Sequence, residues 1–194
     1  MNIKKNLHDL RYFCNNTLKK HVLKFVFTGP ESTGKSSVSK AVADYFQAQW
    51  FPEYAREYLT HKKGKYTFDD ITIIAIEQEK TRKIKEQEGI KVYDTAAVVL
   101  FVWSTFKYGT CSKEIETLMH TQKFDHYFLC SPKNVPYEDD PLREHPQQRE
   151  ELFEIYKSQL KALQVDFTIL EGSLQDRVKK AIEIIEKKTQ RKNN

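Results

Sequence analysis

The sequence predicts an α/β fold of three layers, in which helices cover both faces of a mostly parallel sheet of five strands. Short segments rich in aromatic and β-branched residues alternate with longer segments of helical periodicity, a pattern typical of such a sheet. Residues 29–36 read Gly-Pro-Glu-Ser-Thr-Gly-Lys-Ser and fill each fixed position of the pattern G-x-x-x-x-G-K-[ST]. This pattern needs a strand before it and a helix after it, and the sequence predicts both.

The first elements follow from local patterning. Residues 1–23 place apolar side chains at helical spacing and predict an amphipathic helix that leads into the domain. Residues 24–28 read Lys-Phe-Val-Phe-Thr and predict the first strand. Residues 36–49 repeat apolar side chains every three or four positions and predict a helix, and the short aromatic run at 49–54 predicts the second strand.

The middle of the chain predicts a helix, a strand and a second helix. Thr67 suits the position before a helix and is followed by acidic residues, so we expect a helix over 67–88. Residues 90–94 are mostly apolar and predict the third strand. Residues 96–108 are apolar on most faces, which indicates a buried helix.

The last third of the chain continues the alternation and contains one long loop with four prolines at 132–146. The predicted elements are a helix at 113–122, a strand at 124–130, a helix at 147–163, a strand at 167–170 and a helix at 173–188. Strands that alternate with helices in this way predict right-handed crossovers and a ligand site at the carboxyl ends of the strands.

The loop at 29–36 predicts a site for ATP and Mg²⁺. Its backbone N–H groups can surround phosphate oxygens, and the following helix presents the positive end of its dipole to the same anion. Lys35 would reach the β- and γ-phosphates, and the Ser36 hydroxyl would bind Mg²⁺. The residues expected to contact the nucleotide are Gly29, Glu31, Ser32, Thr33, Gly34, Lys35, Ser36 and Ser37.

Composition predicts one soluble, cytoplasmic domain. The chain has 194 residues, of which 39% are apolar, and its net charge of +5 comes from 32 basic and 27 acidic residues. We attribute this surplus to polyphosphate binding and solvated termini rather than to a nucleic-acid partner. The longest apolar run, 96–103, is too short to cross a membrane, and the first residues lack the apolar segment of a signal peptide. The three cysteines have no disulfide or zinc spacing.

Two acidic residues at the ends of predicted strands are the candidates for metal binding and proton transfer. Asp94 ends the third strand, where a carboxylate can hold Mg²⁺, and a helix N-cap role also fits this position. Glu53 follows the second strand and could accept a hydroxyl proton during phosphoryl transfer, with Arg56 nearby to bind phosphate or substrate. A surface ion pair between Glu53 and Arg56 is the alternative, and either Glu53 or Asp94 could be the base.

The proline-rich segment at 132–146 predicts a lid over the site. Arginines on a closing loop can neutralise charge on a transferred phosphoryl group and exclude water. Arg143 is therefore a catalytic candidate, and Arg149 is a candidate for ATP binding. A solvated charged loop is the alternative for both residues.

Aromatic side chains lie near the predicted strand ends. The candidates to stack on a planar heterocycle of the substrate are Tyr54, Tyr58, Trp103, Phe106 and Tyr108. A helical stripe of aromatic residues belongs to a core more often than to a ligand site, so packing is the alternative.

Together these segments resemble the kinase domain of NadR-type proteins. The residues that carry the resemblance include the loop at 29–36, Pro-Glu-Tyr-Ala-Arg-Glu-Tyr at 52–58, Asp-Thr at 94–95 and Asp-Pro-Leu-Arg at 140–143. The similarity extends from residue 24 to about residue 185, and it implies a nucleoside-kinase-like P-loop NTPase fold with a single kinase domain over 24–190.

The resemblance also implies an activity. The family transfers the γ-phosphoryl group of ATP to the 5′-hydroxyl of N-ribosylnicotinamide and gives nicotinamide mononucleotide for NAD salvage. Lys35 and Ser36 would serve ATP and Mg²⁺, Asp94 the metal and Arg143 the lid. The residues implied on the substrate side are Glu53, Arg56 and Gln78, the last of which matches a glutamine common in these kinases.

The sequence thus predicts a phosphotransferase for a small nucleoside, with no membrane or nucleic-acid partner and with homo-oligomerisation left open. Ala96 stands where many relatives carry a second aspartate, so another nucleoside or nucleotide acceptor is the first alternative. A non-catalytic ATP-binding module, in which the nucleotide closes the lid to signal a partner, is the second.

Overall fold

The elements alternate along the chain as the sequence predicts. The computed structural model describes residues 22–85 and 88–193, so the helix predicted over 1–23 lies almost wholly outside the described residues. The strands are β1 (Leu23–Thr28), β2 (Gln49–Phe51), β3 (Ile90–Asp94), β4 (His126–Cys130) and β5 (Phe167–Leu170). The helices are α1 (Lys35–Phe46), α2 (Tyr54–His61), α3 (Phe68–Lys85), α4 (Ala97–Tyr108), α5 (Lys113–Thr121), α6 (Arg149–Ala162) and α7 (Leu174–Asn193). None of these helices is both long and apolar enough to cross a membrane.

The five strands form one sheet in the order β2-β3-β1-β4-β5, and each neighbouring pair is parallel. The predicted three-layer α/β fold is confirmed, and the sheet is parallel throughout the described residues. The register places Phe27 of β1 opposite both Asp94 of β3 and Phe128 of β4. The carboxyl ends of the three central strands therefore lie side by side, at the edge where open α/β sheets bind ligands.

Both faces of the sheet are buried, which explains why the strands read as nearly continuous apolar runs. Side chains of successive strand residues point to opposite faces. Phe25 and Phe27 pack with Phe128 in the cluster that includes α1 and α7. Val26 and Tyr93 pack in the cluster that includes α4 and α6. Burial of each such side chain contributes about 1.5–3 kcal/mol, so this double-sided core holds the carboxyl edge of the sheet in place.

The second strand is shorter than predicted. β2 ends at Phe51 instead of continuing to residue 54. Pro52 has no backbone N–H and cannot extend the pairing with β3. Glu53 is then the N-cap residue of α2.

The boundaries of β4 and of the last helix also differ from the prediction. β4 begins at His126 rather than at residue 124, because the Asp125 carboxylate accepts a hydrogen bond from the Lys24 N–H (2.7 Å) instead of continuing the strand. The last helix continues five residues beyond its predicted end, to Asn193. Thr189 is buried within this extension, so the added turns pack against the domain.

Asp70 fixes the start of α3 against α2. Its carboxylate accepts hydrogen bonds from Lys62 Nζ (2.7 Å) and from the Tyr58 hydroxyl. It also accepts from the N–H (2.8 Å) and the hydroxyl of Thr67, the residue that precedes the helix. The hydrogen bonds from Lys62 and Tyr58 hold the pKa of Asp70 well below its usual range.

We predict that Asp70→Asn lowers the free energy of unfolding at pH 7 by about 1.5–3 kcal/mol, a usual loss for hydrogen bonds to a charged group. The folded-state pKa of Asp70 is depressed, so its contribution is complete above about pH 4 and is lost as the pH falls through the folded-state pKa. Urea unfolding of both proteins across this range measures the effect. A difference between the two proteins that stays constant in acid would contradict the prediction.

Gly29 lies where β1 turns into the loop at 29–36. Its φ is +130°, and a Cβ atom at this position would lie 2.7 Å from the carbonyl oxygen of Cys130. The loop therefore passes so close to the end of β4 that only glycine fits.

We predict that Gly29→Ala lowers the free energy of unfolding by at least about 2 kcal/mol, since it combines a backbone clash with an unfavourable φ. Gly109→Ala is the matched control, because Gly109 has a φ of +70° with no atom within 4 Å of the added Cβ. The control should lose only about 1 kcal/mol. Equal losses in urea unfolding would show that the contact with Cys130 is unimportant.

Candidate active site

A cavity of about 230 Å³ opens at the carboxyl edge of the sheet. Its walls come from the loop at 29–36, from α2 and α4, from the loop between β4 and α6, and from α6. Ligand pockets usually measure about 300–1,000 Å³, so this one is small and suits a small molecule rather than a macromolecule. Both apolar side chains such as Val102 and charged ones such as Arg56 line it.

The loop between β1 and α1 is shaped to receive an anion. Ser32 and Gly34 have positive φ angles of 53° and 74°, and the Thr33 hydroxyl donates to the Pro30 carbonyl (2.8 Å). α1 begins at Lys35, and the N–H groups of the first turn of a helix have no partner within the helix. Lys35 Nζ donates to the Pro30 carbonyl (2.7 Å), so its ammonium group rests on the loop itself.

Arg177, in the first turn of α7, holds this loop from behind. Arg177 is 2% exposed and donates to the carbonyl oxygens of Thr33 (2.9 Å), Ser131 (3.0 Å) and Gly172 (2.9 Å). These carbonyls belong to the loops that follow β1, β4 and β5. Sequence reasoning missed Arg177, because a single basic residue early in a helix gives no signal of such a role.

Asp94 and Ser36 form a candidate metal site. Asp94 is 2% exposed, and burial raises its pKa, whereas a hydrogen bond from Ser36 and the charge of Lys35 oppose that shift. Its Oδ1 atom is buried and has no hydrogen-bond partner among the described residues. An unpaired buried carboxylate oxygen beside a hydroxyl fits Mg²⁺, which prefers oxygen ligands.

The described residues do not form a metal site built from protein ligands alone. The described part of the chain contains no group of three or more His, Cys, Asp and Glu side chains that could hold a metal ion. Mg²⁺ is usually bound by one or two protein ligands together with waters and phosphate oxygens, which is what Ser36 and Asp94 allow.

Glu53 lines the cavity near Asp94. Burial and the negative charge of Asp94 raise the pKa of Glu53, while the positive charges of Lys35, Arg56 and Arg143 oppose the shift. A carboxylate with a raised pKa at the wall of a cavity is suited to accept a proton from a bound substrate.

Arg56 is engaged with the lid. Its Nη1 atom lies 2.9 Å from Asp140 Oδ2, so its ion-pair partner is this lid aspartate and not Glu53. The sequence offered a surface ion pair between Glu53 and Arg56 as the alternative to a substrate site, and the structure gives no such hydrogen-bonded pair among the described contacts. Arg56 also lines the cavity.

Arg143 of the lid and Arg149 at the start of α6 both contact the loop at 29–36. Arg143 Nη1 donates to Ser32 Oγ (3.1 Å) and to the Glu138 carbonyl (2.8 Å), and Arg143 lines the cavity. Arg149 donates to the carbonyls of Ser32 (3.0 Å) and Val135 (3.0 Å) but is not part of the cavity wall. The structure therefore places Arg149 as a brace between the loop and the lid.

The predicted aromatic residues divide into two groups. Trp103 and Phe106 line the cavity, together with Tyr66, which the sequence did not single out as a substrate contact, whereas Tyr108 does not line it. Tyr54 and Tyr58 lie outside this wall and pack against each other, with ring centroids 6.2 Å apart.

Gln78 lies beneath the turn after β3 and is not part of the cavity wall. Its Oε1 atom accepts hydrogen bonds from the Tyr54 N–H (3.3 Å) and the Thr95 hydroxyl (3.4 Å). Thr95 has a φ of +77°, which is rare for a β-branched residue, and its carbonyl accepts a hydrogen bond from the buried Arg82. Gln78 and Arg82 together hold the strained turn that presents Asp94.

A polar cluster that sequence reasoning missed closes one side of the cavity. The Tyr66 hydroxyl accepts hydrogen bonds from Trp103 Nε1 (2.8 Å) and Lys107 Nζ (2.7 Å) and donates to Glu144 Oε2 (2.6 Å). Burial and the bond to Glu144 raise the pKa of Tyr66, so the hydroxyl stays protonated. These contacts join residues far apart in the chain, and only the position of Glu144 beside Arg143 hinted at a role.

Comparison with known proteins agrees with this fold. The family described as AAA domain (AAA_28) matches residues 24–177. No curated protein sequence is significantly similar to the chain. Among solved structures, a NadR protein in complex with NR has 25% sequence identity and a TM-score of 0.72, and the match covers 95% of this chain and 54% of the NadR chain.

Two further structures show the same fold. A NadR protein in complex with NAD and AMP-PNP has 21% identity and a TM-score of 0.70, over 95% of this chain and 52% of that chain. Deoxyadenosine kinase from M. mycoides with bound dATP has 16% identity and a TM-score of 0.56, over 86% of this chain and 98% of that chain. The chain spans about half the length of the NadR chains that it matches. It belongs to the AAA_28 family, and its fold is similar to that of the matched half of the NadR chains.

Proposed function

We propose that the protein transfers the γ-phosphoryl group of ATP to the 5′-hydroxyl of N-ribosylnicotinamide, giving nicotinamide mononucleotide for NAD salvage. The observation that carries the proposal is one cavity shared by the phosphate loop, the carboxylate of Glu53 and an aromatic wall that includes Trp103. Phosphoryl transfer needs the donor, the base and the acceptor within one site that excludes water. The 25% identity to a NadR protein in complex with NR supports this acceptor.

The donor side uses the loop at 29–36. The phosphates of ATP would bind to the backbone N–H groups of the loop, and Lys35 would leave the Pro30 carbonyl to contact the β- and γ-phosphates. The Lys35 ammonium group would then pair with anionic phosphate oxygens, which bind it more strongly than the neutral Pro30 carbonyl does. Arg143, held beside Ser32, would neutralise charge on the transferred group.

Ser36 and Asp94 would hold Mg²⁺. When bound, the ion neutralises charge on the β- and γ-phosphate oxygens. Gln78 and Arg82 keep the strained turn after β3 in place, so the Asp94 carboxylate stays close to Ser36 without rearrangement.

The acceptor side uses Glu53 and the aromatic wall. We assign Glu53 as the group that takes the proton of the 5′-hydroxyl, because Glu53 lines the cavity whereas Asp94 is not part of the cavity wall. Its raised pKa makes it a more effective base. The rings of Trp103 and Tyr66 would stack on the planar base of the nucleoside.

A different nucleoside acceptor is the second candidate, and Ala96 favours it. Ala96 is the N-cap residue of α4 and is 1% exposed, in the apolar cluster that also contains Tyr93. Many NadR-type kinases carry an aspartate at this position. An acceptor hydroxyl that needs a second carboxylate would therefore find none here.

We predict that N-ribosylnicotinamide has the highest kcat/KM in a panel with adenosine, deoxyadenosine, uridine and cytidine, measured by mass spectrometry of the phosphorylated products with Mg-ATP. Lys35→Met should lower kcat/KM by at least about a hundredfold, because it removes the positive charge that would contact the transferred phosphoryl group. Lys40→Met is the matched control, since Lys40 pairs with Asp44 on the exposed side of α1.

Each outcome of this panel separates the candidates. Faster turnover of another nucleoside would favour the second acceptor. Tight Mg-ATP binding without transfer to any acceptor would favour a non-catalytic ATP-binding module. Full activity of Lys35→Met would show that the loop at 29–36 is not the donor site.

We predict that Glu53→Gln mainly affects turnover, whereas Asp94→Asn mainly affects Mg²⁺ binding. Glu53→Gln should lower kcat by about 10²–10⁴-fold, the usual contribution of a general base, with little change in ATP affinity. Asp94→Asn should instead raise the Mg²⁺ concentration needed for half-maximal ATP binding, measured by calorimetry. A change in Mg²⁺ dependence only in Glu53→Gln would reverse the two assignments.

A further inference from the structure

We propose that Glu31 is a positioning residue that couples the phosphate loop to the lid. Its carboxylate accepts hydrogen bonds from the backbone N–H of Glu144 (Oε2, 3.1 Å) and of His145 (Oε1, 2.6 Å). One side chain of the loop at 29–36 thus holds two successive amides of the lid. The proposal rests on the proposed function, because it takes the cavity under the lid to be the acceptor site.

The charge of Glu31 needs an explanation of its own. A carboxylate within a loop that binds phosphates repels them and weakens ATP binding. The sequence suggested that Glu31 contacts the nucleotide, but its side-chain contacts are with the lid. Charged hydrogen bonds to two lid amides supply an interaction that a neutral residue would make less well.

The Ser32 side chain also contacts the lid. Ser32 Oγ accepts hydrogen bonds from the Glu138 N–H (2.8 Å) and from Arg143 Nη1 (3.1 Å), and its carbonyl accepts from Arg149 (3.0 Å). The two residues at the apex of the loop therefore anchor the lid at 138, at 143–145 and at the start of α6. These contacts join the phosphate loop to the lid at three places.

The amides held by Glu31 carry side chains of the acceptor wall. Glu144 bonds to Tyr66, and the His145 ring packs edge-on against Phe106 with centroids 5.0 Å apart. Loss of the Glu31 contacts should release this wall while leaving the backbone N–H groups of the phosphate loop available. The acceptor should then bind more weakly, and ATP should bind equally well or better because a negative charge is gone.

Hydrogen exchange at the two lid amides tests the contact directly. Wild type, Glu31→Gln, Glu31→Ala and the control Glu183→Gln, which changes an exposed residue of α7, are compared with Mg-AMP-PNP by NMR. Exchange at the Glu144 and His145 amides should be at least about tenfold faster in Glu31→Ala and intermediate in Glu31→Gln. Equal exchange in all four proteins would overturn the proposal.

Kinetics then separate positioning from general destabilisation. For Glu31→Gln we expect a higher KM for the acceptor, an unchanged or lower KM for ATP, and more ADP released per molecule of acceptor phosphorylated. Equal increases in the KM values for ATP and for the acceptor would indicate a merely structural role and overturn the proposal. The exchange measurement uses no acceptor, so it decides the role of Glu31 even if wild type phosphorylates no nucleoside and the proposed function fails.

Discussion

The carboxyl edge of the sheet depends on one buried guanidinium. Arg177 donates to the carbonyls of Thr33, Ser131 and Gly172, so it joins the loops after three strands. Removing a charge from water costs several kcal/mol, which the three charged hydrogen bonds, each worth about 1.5–3 kcal/mol, offset. A lysine could not do this, because only the planar fork of arginine presents donors in three fixed directions.

The hydrogen bonds of Arg177 determine which backbone groups of the phosphate loop face the cavity. With the Thr33 carbonyl drawn toward α7, the loop turns a carbonyl away from the cavity that Thr33 lines. Buried backbone N–H groups need partners, and a phosphate can supply them. The side chains of Glu31 and Ser32 are then free to bind the lid. Under the proposed function, this loop of eight residues would bind ATP with its backbone, while the side chains of Glu31 and Ser32 contact the lid.

The sequence identified the phosphate-loop side of the cavity much better than the opposite wall. The phosphate loop and Asp94 were found because a fixed local pattern and a strand end determine their places. Tyr66 and Glu144 were missed because 78 residues separate them, and the Glu31–His145 contact joins residues 114 apart. Gln78 was assigned to substrate from resemblance alone, whereas its hydrogen bonds hold the turn before Ala96.

The acceptor wall limits what can select the nucleoside base. The Tyr66 hydroxyl accepts two hydrogen bonds and donates one, so it has little capacity left for a ligand. Lys107 lies 2.9 Å from Glu144 and neutralises its charge. The wall then offers ring faces with little net charge, and stacking on Trp103 favours any planar base. Under the proposed function, the heterocycle of the acceptor would therefore be bound by stacking rather than by hydrogen bonds to the Tyr66 hydroxyl, and the cationic ring of N-ribosylnicotinamide would gain more from these ring faces than a neutral base would.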